Sequence, residues 1–239
     1  MKHSLKLSNR LQQIEKMVTS QYSHIWDCCC DHGLLGCALL SRLDVANIPS
    51  NIHFVDIVPD LMAELEKKLY RFYADTTWET HCQDVAKLPL AQYDGKHLII
   101  IAGIGGDLMI EFIEAIYHKH KGIDIDFLLC PVHHQFSLRS KLIELDFSLK
   151  DEVLVEENKR FYEIMLVSST NKESKKINLV GDKIWQSESK KQTEIADKYL
   201  NKTIKHYQRM QQGFQQGNTK NVQHIIDAYH AVILSVSSA

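Results

Sequence analysis

Apolar positions along the chain follow two periods, and their order predicts the architecture. In LKLSNRLQQIEKMV, Leu7, Leu11, Ile14 and Val18 recur at helical spacing, so the chain opens with an amphipathic helix. HIWDC, NIHFVDI, TTWETHC, HLIIIAG and DIDFLLC then read as strands. LLGCALLSRL, PDLMAELEKKLYRFY and GDLMIEFIEAIYHK read as the helices between them, with Pro59 suited to a first helical turn. Such alternation implies right-handed crossovers and a parallel sheet covered on both faces. The order breaks at FSLKDEVLVEE and RFYEIMLVSS, which only Asn158 and Lys159 separate, a hairpin pattern. The expectation is an α/β fold whose seven-stranded sheet is mostly parallel with one antiparallel strand. A polar stretch, STNKESKK, ends this region. IWQSESKKQTEIADKYLNKTIKHYQRMQQ and TKNVQHIIDAYHAVILSV flank a glycine-containing break at GFQQGN, which predicts two antiparallel helices. The predicted division is residues 1–170 for the sheet domain and residues 171–239 for a linker and a coiled-coil-like helical hairpin.

A chain of 239 residues, 44% hydrophobic and 24% charged, can bury its own core. It contains no run of the roughly 18 to 20 apolar residues that would span a bilayer, so no membrane association and a cytoplasmic location are expected. The formal net charge of −2 hides a division. Residues 1–170 carry 17 Lys and Arg against 24 Asp and Glu, whereas residues 171–220 carry 11 against 5. Segregated basic charge reads equally as a solvated helical face or as a nucleic-acid footprint.

The stretch IWDCCCDHGLLGCALL carries the first candidate chemistry. All six cysteines lie between positions 28 and 130, and reduced thiols are expected. Cys28, Cys29 and Cys30 do not read as a metal centre, because neighbouring side chains on an extended chain point to opposite faces and no Cys-x-x-Cys pair completes a ligand set. No metal is expected; cysteine here reads as a small packing residue. Placed after the first strand, the triplet lies at the carboxyl edge of the sheet, where open α/β sheets bind ligands. Asp56 ends the second strand, 29 residues after Asp27, and Asp84 follows the third. Acids after strands 1, 2 and 3 suit a ligand with an amino-acid end, a ribose and an adenine amine, and S-adenosylmethionine has all three.

LKLSNRLQQI, DCCCDHGLLGCAL, IIIAGIGGDLM and DEVLVEENKRFYEIMLV together resemble the TrmK-like tRNA adenine-N1 methyltransferases over residues 5–167. The family's Asp-x-Gly-Ser-Asp-His motif is similar to Asp27, Cys29, Cys30, Asp31 and His32, and its Ala-Gly-Met-Gly-Gly to Ala102–Gly106. The resemblance implies a Rossmann-like class I methyltransferase fold with a helical C-terminal appendage. It also implies S-adenosylmethionine as cofactor and methyl transfer to N1 of adenine, at position 22 of tRNA. The implied cofactor contacts are Asp27, Cys29, Asp31, His32, Asp56, Ile57, Gln83, Asp84, Ala102 and Gly103. Gly105, Gly106 and Pro131 are expected at the substrate, with Lys191, Lys198, Lys202, Lys205 and Arg209 facing RNA. Asp31 and Asp107 are candidates for positioning or charge stabilisation.

Two positions depart from the pattern: Cys29 stands where the family motif has glycine, and Val132 where relatives tend to have asparagine. Val132 cannot supply that polar group; His133 and His134 read as an exposed pair or as its replacement. Gly103, Gly105 and Gly106 lack the third-glycine spacing of a dinucleotide phosphate loop, so a nicotinamide oxidoreductase is the weaker reading. A class I methyltransferase acting on a small molecule or protein, and an inactive RNA-binding relative, stay open as alternatives. These patterns do not set the oligomeric state.

Overall fold

The computed structural model describes residues 6–19, 21–46, 49–170, 175–187, 189–215, 221–232 and 235–236. Helix α1 (Asn9–Met17) is capped by Ser8, whose side chain accepts from the Leu11 N–H. Strands β1 (His24–Cys28), β2 (Asn51–Asp56), β3 (Trp78–Cys82), β4 (His97–Ala102) and β5 (Ile125–Cys130) alternate with α2 (Leu34–Val45), α3 (Pro59–Phe72) and α4 (Gly106–Lys119). Helix α5 (Gln135–Glu144) then leads into the hairpin β6 (Ser148–Glu157) and β7 (Arg160–Ser168). Asn158 and Lys159 both take positive φ, 50° and 62°, the backbone a two-residue hairpin turn requires.

The seven strands run in the order β3-β2-β1-β4-β5-β7-β6. β1 pairs in parallel with β2 and β4, while β7 lies antiparallel to both neighbours, β5 and β6. The single antiparallel strand is therefore β7, as the hairpin pattern predicts. Central strands are apolar along their length because both faces are covered. One face packs Ile25, Phe54 and Ile100 beneath α1, α2 and α3, and the other packs Trp26, Ile99 and Phe127 beneath α4 and α5. The cysteine triplet divides between them, Cys28 facing one core and Cys30 the other.

Helix α5 escapes the periodicity because Arg139 occupies its core face. Arg139 is fully buried, donating from Nε to Glu163 at 2.8 Å and from Nη2 to Glu152 at 2.7 Å. Glu152 also accepts from the Asp182 and Lys183 backbone N–H groups, and Glu163 from the Tyr199 hydroxyl at 2.5 Å. This network ties the sheet to α6 (Lys190–Gln215). Helix α7 (Gln223–His230) folds back along α6, with Val222 N–H bonded to Gln211 and Tyr229 stacked near Tyr207. It is shorter than the sequence predicts: residues 235–236 form strand β9, paired with β8 (Gln186–Ser187). Linker residues 171–174 and break residues 216–218 lie outside the described residues. Trp185, Tyr199, Ile225 and Tyr229 share a core with Phe136 and Leu154 of the sheet region. Among the described residues no helix is long and apolar enough to cross a membrane.

Candidate active site

The strand order reverses at β1, whose neighbours β2 and β4 carry the chain to opposite sides. A crevice opens at the carboxyl ends of β1 and β4. β1 runs into a tight turn in which Cys29, Asp31 and Gly33 all have positive φ, 57°, 51° and 65°. This turn lets α2 begin directly behind the sheet, and the Gly36 N–H donates to Asp27 Oδ2 at 2.9 Å. Asp27 is 5% exposed. Burial, with the field of Asp56 adding to it against the Gly36 hydrogen bond, pushes its carboxyl up to about 7. Burial likewise pushes the Cys29 thiol up to about 11 and Cys30 further, so the triplet is held as thiols.

A cavity of about 270 Å³ sits over this turn, lined by Asp27–His32 and Ala102–Ile104, with Arg10 and Leu11 closing it from α1. It brings together six of the expected cofactor residues, Asp27, Cys29, Asp31, His32, Ala102 and Gly103. Asp56 joins through Oδ2, which accepts from the Asp31 N–H at 3.1 Å, while Oδ1 accepts from the Val58 N–H at 3.2 Å. Asp56 thus shapes the cavity wall, and each carboxylate oxygen keeps a second lone pair. Gln83 donates its backbone N–H to the Asp56 carbonyl at 3.0 Å, and its side-chain Nε2 is buried without a hydrogen-bond partner. Asp84 caps the next turn by accepting from Ala86 N–H, and Ile57, directly after β2, is 68% exposed.

On the other side, the loop after β4 packs against the loop after β5. Gly103 has φ 89°, open to glycine, and donates to the Cys130 carbonyl at 3.1 Å. A side chain at Gly105 would meet the His133 ring, and one at Gly106 would come within 2.8 Å of the His134 carbonyl. Gly106 therefore needs to be glycine for the two loops to touch, whereas at Gly105 the exposed His133 ring would have to turn aside. His133 and His134 are exposed, as predicted, yet engaged: His134 Nδ1 lies 2.7 Å from Asp107 Oδ2. Asp107 is thus held at the start of α4, outside the cavity that Asp31 lines. Pro131 is buried beneath this loop.

The model of a family described as a methyltransferase domain matches residues 7–165. The chain belongs to that methyltransferase domain family. A comparison with curated proteins returns no match. The fold is similar to that of the Bacillus subtilis M1A22 tRNA methyltransferase TrmK, at 20% identity over 95% of this chain and 98% of that one, with a TM-score of 0.71. It is similar to the Streptococcus pneumoniae Sp1610, a putative tRNA (m1A22) methyltransferase, in complex with S-adenosyl-L-methionine, at 18% identity over 95% and 97%, TM-score 0.68. Likeness to the Synechocystis magnesium protoporphyrin IX methyltransferase with bound SAM is 14% identical over 66% of this chain and 79% of that one, TM-score 0.51.

Outside the methyltransferase domain, α6 separates the expected RNA contacts into two groups. Lys198, Lys202, Lys205 and Arg209 line one exposed groove of about 700 Å³. Lys191 faces a different groove, of about 690 Å³, between α1 and the β6–β7 hairpin. Lys202 is anchored, bonding the Lys159 carbonyl and lying 5.3 Å from the Phe161 ring centroid. α6 lies within electrostatic reach of the β5 loop, since partial desolvation, Arg209 and then His134 lower the pKa of His206.

Sequence reasoning missed Arg10 as a site residue. Its guanidinium lies 5.0 Å from the Tyr162 ring centroid, next to Gly103, and its Nε is buried without a hydrogen-bond partner. The signal lies in LKLSNRLQQI, where Arg10 stands off the apolar stripe of Leu7, Leu11 and Ile14.

Proposed function

We propose that this chain is an S-adenosylmethionine-dependent tRNA methyltransferase that modifies N1 of adenine, at position 22 by likeness to the proteins named above. It is read as a cytoplasmic protein with residues 1–170 as catalytic domain and 171–239 as RNA-facing appendage. The observation that carries the reading is coverage. The two tRNA methyltransferases match the chain through the appendage, whereas the porphyrin methyltransferase matches 66% of it. An appendage with an exposed row of cations, Lys198, Lys202, Lys205 and Arg209, supports RNA over a small-molecule substrate.

The residues present fit the cofactor. The unpartnered Gln83 Nε2 suits an adenine acceptor, Asp56 lies where ribose hydroxyls bind, and Asp27 with Asp31 offers carboxylates to a cationic amino-acid end. His32, Ala102 and Gly103 line the cavity with Cys29, and Ile57 and Asp84 follow β2 and β3 at the same edge of the sheet. Bound S-adenosylmethionine supplies an electrophilic methyl group on a sulfonium. The protein's own part is orientation. Gly105, Gly106 and Pro131 act through the close packing of the loops after β4 and β5, which shapes the substrate side of the crevice, and Asp31 and the Arg10 guanidinium set the charge at the cavity. Neutral adenine N1 attacks with its own lone pair, so no general base is assigned. Asp107 acts by fixing His134. Because N1 lies on the Watson–Crick edge, a paired target must be exposed before transfer.

Tritiated methyl transfer to unmodified tRNA, followed by nucleoside analysis, tests the reading. N1-methyladenosine is expected. Label in a different nucleoside, or transfer to small acceptors with none to tRNA, overturns it.

A further inference from the structure

On the sheet face opposite α2 and α3, away from the cofactor cavity, β1, β2 and β3 bring His24, His53, Glu79 and His81 together. Glu79 and His81 are two residues apart on the edge strand β3 and so share a face, and His53 reaches them from β2. From this geometry we propose a divalent transition-metal site of the zinc class, with His53 Nδ1, His81 Nε2 and the Glu79 carboxylate as ligands.

The ring hydrogen bonds run in one direction. His24 Nε2 lies 3.2 Å from the Asp94 carbonyl, which only accepts, so that nitrogen carries the hydrogen. In a neutral His24, Nδ1 is then a lone pair, 2.9 Å from His53 Nε2, which must donate to it. The remaining nitrogen of His53, Nδ1, is left with a lone pair aimed at His81 Nε2, 3.0 Å away. His97 stands apart with its own fixed tautomer, accepting from Trp26 Nε1 and donating to the Tyr93 carbonyl. The chain thus presets a metal-ligating nitrogen and supplies, through His24, the hydrogen bond that orients its ring.

The other two ligands are similarly placed. Glu79 is held by the Tyr93 hydroxyl at 2.6 Å and Asn51 Nδ2 at 2.7 Å. His81 Nε2 lies 4.0 Å from Glu79 Oε2, and all three ligand atoms fall within 4.8 Å of one another. Two donors on a tetrahedral zinc are about 3.3 Å apart, a value that the 3.0 and 4.0 Å separations bracket. Binding requires that the His81 ring hydrogen move from Nε2 to Nδ1 and that the His53 and His81 rings turn so that both lone pairs meet at the ion. His53 is fully buried, whereas the Glu79 side chain is 41% exposed, so entry and a fourth, water-filled position lie on the Glu79 side. Two histidines and a glutamate drawn from two strands leave no metal-binding spacing in the sequence, unlike a Cys-x-x-Cys pair.

The test uses full-length protein stripped by chelator and dialysed, titrated with Zn²⁺ by calorimetry and with Co²⁺ by visible absorption. One ion per chain and the intense absorption of four-coordinate Co²⁺ are expected. His81→Gln and the near-isosteric Glu79→Gln should each weaken Zn²⁺ by at least the roughly 10- to 100-fold that loss of a hydrogen-bond partner to a ligand costs. His230→Gln, on exposed α7, should change nothing. Zn²⁺ should raise the melting temperature of the wild type, and should not do so in His81→Gln. No saturable binding, or binding that survives in both His81→Gln and Glu79→Gln, refutes the site and leaves a hydrogen-bonded packing network.

Discussion

Asp27 should make cofactor binding depend on pH near neutrality. Its carboxyl rises from 3.8 to about 7 in the fold, chiefly through burial, and the rise corresponds to about 4 kcal/mol at 1.36 kcal/mol per pH unit. Between about pH 4 and 7 the folded protein without ligand keeps a proton that the unfolded chain has lost. Its stability therefore falls as pH rises through that window. A cationic ligand in the cavity favours the ionised form, so binding below pH 7 must expel the proton. With the pKa near 7, the apparent affinity for S-adenosylmethionine should be about tenfold tighter at pH 8 than at pH 6. Calorimetry at pH 6 in buffers of different ionisation enthalpy should detect release of nearly one proton per ligand bound, and nearly none at pH 8. Asp27→Asn keeps an acceptor for the Gly36 N–H; it should bind weakly at both pH values, and its ligand-free form should melt above the wild type at pH 8. An affinity that does not change between pH 6 and 8, or the same pH slope in Asp27→Asn, refutes the reasoning.

Cys29→Gly relieves a left-handed backbone worth about 1–2 kcal/mol and loses about 0.5–1 kcal/mol to chain entropy. Stability measured by urea unfolding should rise by about 0 to 1.5 kcal/mol and cofactor affinity should hold or improve; a net loss of stability shows that Cys29 packing dominates. Arg139→Met leaves Glu152 and Glu163 buried without their cation, at a cost of about 3–5 kcal/mol. Calorimetry should show the melting temperature falling by about 6–20 °C, and an unchanged melting temperature counts against the network. The Lys198→Glu, Lys205→Glu double variant should bind tRNA more weakly with a log–log salt slope reduced by about 0.9 per lost phosphate contact on duplex RNA, taking the DNA value. Cofactor affinity should stay constant, and an unaltered slope removes α6 from the RNA interface.

The parallel core was legible because strands buried on both faces leave continuous apolar runs such as HLIIIA and IDFLLC. The site's location followed from topology, since the Asp27 turn must lie at the carboxyl edge. Helix α5 was not legible, because a buried cation paired with two distant acids looks polar in sequence. Nor was the left-handed turn at Cys29, which only the glycine of the resembling motif hinted at. The separation of Lys191 from Lys198, Lys202, Lys205 and Arg209 depends on how α6 docks on the hairpin, a long-range property that local periodicity does not carry.

Because β7 lies between β5 and β6, the sheet cannot close in the order in which its strands are synthesised. β5 is buried along its whole length, yet its outer edge pairs with Met165–Ser168 and bonds to Ser169, at the far end of the hairpin. Until those residues emerge from the ribosome, the nascent chain presents an apolar strand with open backbone groups, the form most prone to edge-to-edge aggregation. β6 emerges earlier and its ladder waits for the same partner. Completion of β7 is thus the moment at which the growing chain becomes self-protecting, and the helices made last then cover Leu154 and Phe136.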